Sequence, residues 1–361
     1  MTATAAARPE RSIRDRGPIA RSYRKFTGRA VLTMFAVLVI SVYLLPLLFM
    51  ATTALMQPSQ ISTAGAPWWP ARPLTGTYEG QSYPIYSVTI DGAERQLMLV
   101  EAGRESSVFV DPADPSARPI EWQGRWRTLQ QAWGFSPLLE NFSTVWSQLN
   151  FPRLFFNTMA IAVLSTIGAV LSSVLVAYGF ARFRFPGRNV LFVVLIATII
   201  LPFQVTLLPT YVIFTWLGWN GTWLPLIVPH FFANAFNVFL LRQYFMSIPR
   251  DLDEAAMIDG AGPFRILRSV IVPQSIAAIT AVALFHFFFA WNDFFVPLLY
   301  LASKPELQPL SVGIQQYNAL YASEPTLIQA AALMTMAVPI VIFFLSQRAF
   351  MRGVVVTGVD K

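Results

Sequence analysis

Few side chains in this sequence could perform chemistry. The chain has no cysteine and only two histidines, His230 and His286, so it offers no disulfide, no thiol nucleophile and no Cys-based zinc site. Its glycine-rich stretch GAGPFRIL lacks both the spacing and the lysine of the phosphate-binding pattern GxxxxGK followed by Ser or Thr. We therefore predict no catalytic residue, no metal site and no cofactor bound by this chain.

Polar side chains inside long apolar runs are the remaining candidates for binding a small molecule. They are Gln204, Thr206, His230, Asn234, Asn237, His286, Asn292 and Asp293. Such groups are unfavourable in a membrane unless they face a cavity or a partner helix, so each either contacts a solute or hydrogen-bonds a neighbouring helix. For Asn292 and Asp293, which follow Trp291, we favour helix packing. Anionic ligands need Arg or Lys, which these runs lack, so a neutral, hydroxyl-rich solute fits them best.

The elements that hold these residues are predicted to be membrane-spanning helices. Of the 361 residues, 55% are hydrophobic and 12% charged, whereas a soluble domain carries about 25% charged residues. Pro202, Pro339 and the charged Asp293 are expected to be tolerated inside the spans. A spanning helix needs about 20 mostly apolar residues, and six such runs occur: Ala30–Leu55, Leu154–Ala181, Val190–Leu208, Thr222–Leu241, Ser275–Leu301 and Leu327–Leu345.

The positive charges predict the orientation of the chain in the membrane. The net charge of +7 does not indicate a nucleic-acid partner, because Lys and Arg sit in the loops between apolar runs. Residues 1–29 hold eight basic and two acidic residues, whereas residues 57–150 hold six Arg and nine acidic residues. Because cytoplasmic segments retain Lys and Arg, we predict that both termini are cytoplasmic and that residues 57–150 lie outside the cytoplasm.

The loop of residues 57–150 is predicted to contain a small β-rich insert, at about residues 83–127. Tyr86–Glu101 alternates apolar and polar residues and breaks at Asp91-Gly92, which indicates a hairpin, and Ser106–Pro112 has the pattern of a further strand. The insert is either a compact lid or a docking surface for an extracytoplasmic partner. Six tryptophans in the loop either anchor it at the membrane surface or stack on a sugar ring.

A polar segment, Asp251–Pro273, interrupts the apolar sequence between the fourth and fifth runs. Asp251 and Glu254 have the spacing of a capping box, which predicts that a helix begins there. Ala255 and Ala256 leave one face of this helix nearly bare, so the backbone of another protein can approach it closely.

The predicted helix must be short. Gly260 and Gly262 can adopt the backbone angles that end a helix, and Pro263 is well placed to begin the next one. Pro273 is expected to mark the bend into the fifth span. The sequence thus predicts a short helix on the membrane surface, followed by an elbow.

This segment resembles the EAA loop of ABC importer permeases. Glu254, Ala255, Ala256 and Gly260 stand at the spacing of that loop, and VIVP fills the position of its closing I-x-L-P. The resemblance covers most of the chain except the β-rich insert, and it narrows to the carbohydrate branch, in particular the smaller permease of maltose-type importers. The stretches that carry it are ARFRFPGR, ILPFQVTLLPTY, FLLRQYFMSIPRDLDEAA, AWNDFFVPLLYL and QRAFMRGVVVTGVDK.

The resemblance implies an all-α integral membrane protein with six transmembrane helices of the ABC importer permease type. The β-rich insert in the first extracytoplasmic loop departs from the family pattern and is predicted from the sequence alone. The resemblance also implies that the polar segment is a coupling helix that docks in a cleft of a cytoplasmic ATPase. We expect a basic cytoplasmic segment (1–29), a first transmembrane helix (30–56), the outer loop (57–150), a permease core (151–350) with the cytoplasmic coupling loop (246–273), and a cytoplasmic tail (351–361).

The function implied by the resemblance is that of a transport subunit, not an enzyme. Such a permease moves a sugar or oligosaccharide, delivered by an extracytoplasmic binding protein, across the inner or plasma membrane by alternating access. The implied partners are a second, different permease, membrane lipid, and an ATPase dimer that holds the ATP and magnesium. The tail Val356–Lys361 is implied to reach the ATPase too. The expected coupling residues are Glu254, Ala255, Ala256, Asp259, Gly260, Ala261 and Pro273.

Two other classes of function stay open at this point. An ion-coupled secondary transporter would place acidic residues and broken helices near the middle of the membrane. A membrane scaffold or receptor subunit would fit the β-rich insert, but it would leave the polar segment unexplained.

Overall fold

The structure is a computed structural model that describes residues 18–90, 92–319 and 322–355. Three features discussed above lie outside the described residues. They are the part of the basic segment before Pro18, Asp91 at the turn of the predicted hairpin, and the predicted contact of residues 356–361 with an ATPase. The chain divides into two units after Ala51.

Within the first unit lies most of the helix α1 (Pro18–Ala54). Its stretch Gly28–Ala54 is long and apolar enough to cross a membrane. This matches the first predicted run, Ala30–Leu55, because continuous apolar sequence of that length is stable in lipid only as a helix, which satisfies its own backbone groups.

The second unit begins with a short helix, α2 (Pro58–Ser62), and continues as strands to residue 135. The strands are β1 (Ala71–Pro73), β2 (Thr75–Tyr78), β3 (Gln81–Ile90), β4 (Ala93–Glu101), β5 (Ser106–Val110), β6 (Ile120–Gln123), β7 (Gln130–Gln131) and β8 (Trp133–Phe135). All pairs are antiparallel: β2 to β6 form a sheet in sequence order, β7 pairs with β3, and β1 pairs with β8. The predicted hairpin is present, with Ile90 opposite Ala93.

The sheet buries apolar side chains on both faces. Because successive side chains of a strand point to opposite faces, Leu97 packs with Val88 and Phe109 on one face, and Met98 packs with Val110 on the other. Two of the six tryptophans are used here: Trp122 meets Phe109 edge-on, and Trp126 meets Tyr86 in the same way. Trp68, Trp69 and Trp146 are exposed.

The rest of the second unit is mostly helical. Its helices are α3 (Glu140–Gln148), α4 (Phe151–Arg182), α5 (Arg188–Ala197), α6 (Phe203–Trp216), α7 (Leu224–Ile227), α8 (Ala235–Ser247), α9 (Asp251–Ile258), α10 (Pro263–Ile266), α11 (Val272–Gln274), α12 (Ile276–Trp291), α13 (Phe295–Tyr300), α14 (Leu310–Gly313) and α15 (Pro325–Val355). A π-helical turn, Leu267–Ile271, joins α10 to α11, and two short strands, β9 (Asn318–Ala319) and β10 (Ala322–Ser323), precede α15.

Among the described residues, four stretches are long and apolar enough to cross a membrane as single helices, and two bent helix pairs meet the same test together. The single stretches are Gly28–Ala54, Phe151–Arg182, Leu224–Ser247 and Pro325–Gln347. The pairs are Arg188–Ile200 with Phe203–Trp216, bent by 99°, and Pro263–Gln274 with Ile276–Trp291, bent by 81°.

The expectation that Pro202 would be tolerated inside one continuous span is wrong. The helical segment ends at Ile200, Leu201 is extended with φ −68° and ψ 119°, and α6 begins only at Phe203. Proline disfavours helical angles in the residue before it and lacks the N–H for the backbone bond, so Leu201-Pro202 breaks the run into two helices. The fifth run is also divided, between Trp291 and Phe295.

The helix α4 lies at the centre of the second unit and packs against α3, α8, α12 and α14. Gly168 on α4 faces the ring of Phe231, which occupies the space that a β-carbon would need. Thr158 on α4 fastens a loop: its hydroxyl accepts a hydrogen bond from Leu310 N at 2.8 Å and donates one to Leu154 O at 2.8 Å.

We expect Thr158→Val to destabilise the protein. Thr158 is 1% exposed, and the valine would leave the buried N–H of Leu310 without a partner, which costs about 1–3 kcal/mol. The measurement is thermal unfolding in detergent, with Thr166→Val as the matched control, because Thr166 donates to Ala162 O within its own helix. Equal midpoints for the two variants would contradict this role of Thr158.

Candidate functional site

The helix α9 begins at Asp251, as the sequence predicts, but the predicted capping box is wrong. Arg250, with helical angles of φ −71° and ψ −23°, is the residue that precedes the helix, and no side chain caps it. Asp251 therefore lies inside the first turn, together with Asp253 and Glu254. Their negative charges are favourable there, because the helix dipole is positive at this end.

The helix α9 ends at Ile258, and Gly260, just beyond it, has the left-handed φ of +77° that terminates a helix, as predicted. The N–H of Ala261 donates to Ala256 O at 2.9 Å, a bond that closes the last turn in the manner of a Schellman motif. The expectation for Gly262 is wrong, because this residue is extended, with φ −75° and ψ 168°. Pro263 opens α10 as predicted, and the chain bends just after Pro273, between α11 and α12.

The two faces of α9 differ in burial. Asp253 is buried, whereas four of the residues named from the sequence are exposed: Glu254, Ala255, Asp259 and Gly260. Two more, Ala256 and Ala261, are half-buried, and Pro273 is exposed in α11. Beside them, Ile258 is 87% exposed. The exposed face of α9 thus combines small, acidic and apolar side chains.

The buried face of α9 carries an ion pair that the sequence reasoning missed. Arg182 Nε lies 2.8 Å from Asp253 Oδ2, and the two side chains are 6% and 12% exposed. Arg182 Nη2 also donates to Ile248 O at 3.1 Å, and Tyr178 Oη donates to Pro263 O at 3.1 Å. No local pattern in the sequence connects Arg182 with Asp253.

A cavity of about 500 Å³ lies between α6, α7, α8, α12 and α13. Five of the candidate solute contacts line it: His230, Asn234, Asn237, His286 and Asp293. Three do not. Gln204 and Thr206 are exposed in the first turn of α6, and Asn292 is exposed and donates to Phe288 O at 2.8 Å. The sequence reasoning missed the aromatic residues of the wall: Phe203, Phe214, Phe236, Phe285, Phe289 and Tyr300.

Two of the polar residues in the wall hold local structure. Asn234 caps α8, because its Oδ1 accepts hydrogen bonds from the N–H groups of Phe236 at 3.0 Å and Asn237 at 3.2 Å. Asp293 accepts from Val296 N through its carboxylate and from Ser311 Oγ, at 2.6 Å, through its backbone carbonyl.

Two histidines of the wall lie side by side, with His286 buried and His230 half-buried. The rings of His230 and His286 are 4.6 Å apart, centroid to centroid. His286 Nε2 and Asn237 Nδ2 are buried and have no hydrogen-bond partner among the described residues. Most of the residues in the wall are apolar or aromatic, and His230, His286 and Asn237 form a small polar part of it.

We expect the two glycines after α9 to respond differently to substitution. Neither has an atom within 4 Å of the place a β-carbon would take, so the backbone angle alone decides. Gly260→Ala forces alanine into the left-handed region, at about 1 kcal/mol, and should speed amide hydrogen exchange in α9 about fivefold. Gly262→Ala is the matched control and should leave exchange unchanged; equal effects would contradict the assigned role of Gly260.

Known proteins resemble this chain over its helical part. Residues 168–356 match the family described as "Binding-protein-dependent transport system inner membrane component". The osmoprotective compounds uptake permease protein of Synechocystis sp. is 34% identical over 224 residues, which cover 62% of this chain and 75% of that protein. The sn-glycerol-3-phosphate transport system permease protein of Rhizobium meliloti is 34% identical over 229 residues, covering 61% and 80%. The alpha-glucoside transport system permease protein of the same organism is 30% identical over 230 residues, covering 61% and 60%.

The fold is also shared with a solved structure. A chain of a bacterial ABC transporter involved in the import of the acidic polysaccharide alginate superposes with a TM-score of 0.61 at 18% identity, covering 93% of this chain and 99% of that one. The family match spans more than half of the chain, and it favours a permease of an ABC importer over an ion-coupled secondary transporter. The chain belongs to the family of binding-protein-dependent transport system inner membrane components, as a permease subunit of an ABC importer.

Proposed function

We propose that this permease imports a neutral sugar or oligosaccharide. The observation that carries the proposal is the wall of the cavity: none of the described residues that line it is Arg or Lys, and six are aromatic. A phosphate or carboxylate is recognised best by Arg or Lys, whereas the faces of aromatic rings suit the apolar faces of a sugar ring. The alpha-glucoside relative supports this choice, and the sn-glycerol-3-phosphate relative supplies the competing one.

The solute path in this proposal runs through the cavity. Asn234, Asn237, His286 and Asp293 belong to its polar part, together with His230. Gln204, Thr206 and Asn292 stay candidates for parts of the path outside the cavity. Delivery is by an extracytoplasmic binding protein, and alternating access exposes the cavity first to one side of the membrane and then to the other.

The energy for transport comes, in this proposal, from a separate cytoplasmic ATPase dimer that holds the ATP and magnesium. Its contact is the exposed face of α9, through Glu254, Ala255, Asp259 and Gly260. The small side chains on this face permit close approach of the ATPase. Ala256 and Ala261 belong to the same segment and are half-buried. Pro273, at the bend into α12, belongs to the same coupling segment. The tail residues 356–361 are proposed as a further contact.

The proposed topology counts each bent helix pair as one span, which gives six spans and cytoplasmic termini. The charge difference between residues 1–29 and 57–150 supports this orientation. In this proposed topology the sheet of β2 to β7 lies outside the cytoplasm and serves as a lid or a docking surface. A second, different permease completes the transport pathway.

The coupling proposal predicts that Glu254→Arg removes the ATPase from the complex. The variant reverses the charge on the exposed face of α9 and leaves the buried face intact. The measurement is a mild-detergent pull-down of the tagged chain, with copurifying proteins identified by mass spectrometry. The matched control is Glu101→Arg, an exposed glutamate at the end of β4. ATPase recovery that is equal in wild type and Glu254→Arg would contradict the proposed contact.

The substrate proposal predicts uptake of neutral sugars. The complex, purified with its binding protein and placed in liposomes with ATP inside, should take up a labelled alpha-glucoside and leave labelled sn-glycerol-3-phosphate outside. The reason is the absence of Arg and Lys from the described cavity wall. ATP-dependent uptake of sn-glycerol-3-phosphate in preference to the sugar would contradict the proposed substrate class.

A further inference from the structure

The connection from α9 to α10 is loosely packed around its two glycines, whereas α10 and the π-helical turn that follows are held by Ile266, Leu267 and Ile271 in the buried cluster they share with α4. The connection from α9 to α10 passes through Gly260 and Gly262, and the space around both is open, with no atom within 4 Å of a possible β-carbon. Glycine has the widest choice of backbone angles, so this connection resists deformation poorly. A displacement of α9 is therefore transmitted to the membrane helices more effectively through a more rigid contact.

The last turns of α4 supply such a contact. Tyr178 and Arg182 are four residues apart and therefore share one face of that helix. Arg182 binds Ile248 O, three residues before α9, and pairs with Asp253 inside it. Tyr178 binds Pro263 O, at the start of α10. The end of α4 thus holds the α9 segment before, within and after the helix.

The surroundings make this contact rigid. The Arg182–Asp253 pair is almost fully buried, and apolar residues of α4, such as Ala177 and Ala181, pack with Phe245 and Ile248 in the same cluster. A guanidinium group is planar and carries several N–H groups, so Arg182 donates to Ile248 O through Nη2 while its Nε lies 2.8 Å from Asp253 Oδ2 as an ion pair. That Nε has no hydrogen-bond partner among the described residues. A lysine at this position could not serve both acceptors with the same geometry.

We propose that Arg182 is a positioning residue for coupled transport. It fastens α9 to α4, so the two helices move as one rigid body and α4 carries the displacement of α9 into the membrane. The inference rests on the proposed contact between α9 and an ATPase. It adds that the force leaves α9 through a side-chain contact with α4, and not mainly through the glycine-containing connection to α12.

The functional test is the amount of solute moved per ATP hydrolysed by the reconstituted complex. Arg182→Gln should lower this ratio about tenfold while the ATPase still copurifies. Arg182→Lys should restore the ratio of solute moved to ATP hydrolysed only in part, because lysine keeps the positive charge but lacks the planar guanidinium group with its several N–H donors. Arg184→Gln is the matched control, since Arg184 is exposed two residues further on. An unchanged ratio in Arg182→Gln would overturn the inference.

A second test needs no change at Arg182 and so does not depend on how well that variant folds. Because the chain has no cysteine, Asp251→Cys on α9 and Leu164→Cys on α4 can carry the only two spin labels on this subunit; both positions are exposed. Their separation, measured by pulsed electron paramagnetic resonance, should be the same in the resting complex and after trapping with Mg-ATP and vanadate. A changed separation would overturn the rigid link.

The two proposals fail in different ways. A complex that contains no ATPase, or that does not trap vanadate, would contradict the proposed function and this inference with it. A complex that traps vanadate and shows a changed label separation would contradict the link through Arg182 alone. A label separation that vanadate trapping leaves unchanged, and whose distribution broadens when Arg182→Gln is added, would support both proposals.

Discussion

The hydrocarbon interior of a membrane contains no water to hydrogen-bond polar groups, and this constraint shapes the membrane-spanning helices of the chain. Each backbone and side-chain polar group inside the spans must find a partner within the protein. The spans meet this demand locally: the hydroxyls of Thr158, Thr166, Thr210 and Thr335 each donate to the carbonyl four residues earlier in their own helix. At Pro202 the helix stops and its direction changes by 99°, whereas α6 and α15 continue past Pro209 and Pro339. The same demand makes the buried Nε2 of His286 and Nδ2 of Asn237 notable, since neither has a partner among the described residues.

The constraint also explains where charge is permitted. Arg182 stands at the last residue of α4, and its charge is neutralised by Asp253 of α9 at 2.8 Å. A buried pair of this kind adds little net stability, because desolvation offsets most of the attraction, but it fixes geometry, since either charge left alone would be strongly unfavourable. The pair therefore orients α9, with Asp253 inward and Glu254 outward. The helix is held on one face and exposed on the other.

The sequence predicted what local rules control and missed what packing controls. Run lengths placed α4 within three residues at each end, because apolar sequence of that length must be helical in lipid (Leu154–Ala181 predicted, Phe151–Arg182 found). The left-handed angle of Gly260 and the start of α10 at Pro263 followed from backbone stereochemistry.

The Arg182–Asp253 pair could not be predicted, because it joins two helices that no local pattern relates. The aromatic wall of the cavity depends in the same way on how five helices pack. The break at Pro202 was missed because a membrane helix can also continue past a proline.

We propose that an ATPase drives this permease through contact with the exposed face of α9. The most direct test of this proposal is cross-linking from a single cysteine, which the cysteine-free sequence makes specific. Ile258→Cys, at a position that is 87% exposed on α9, is treated with a thiol- and amine-reactive cross-linker in the assembled complex, and Glu101→Cys in β4 is treated alongside. We expect a cross-link to the ATPase from Ile258→Cys and none from Glu101→Cys. An ATPase cross-link from Glu101→Cys, or none from Ile258→Cys in a complex that contains the ATPase, would contradict this proposal.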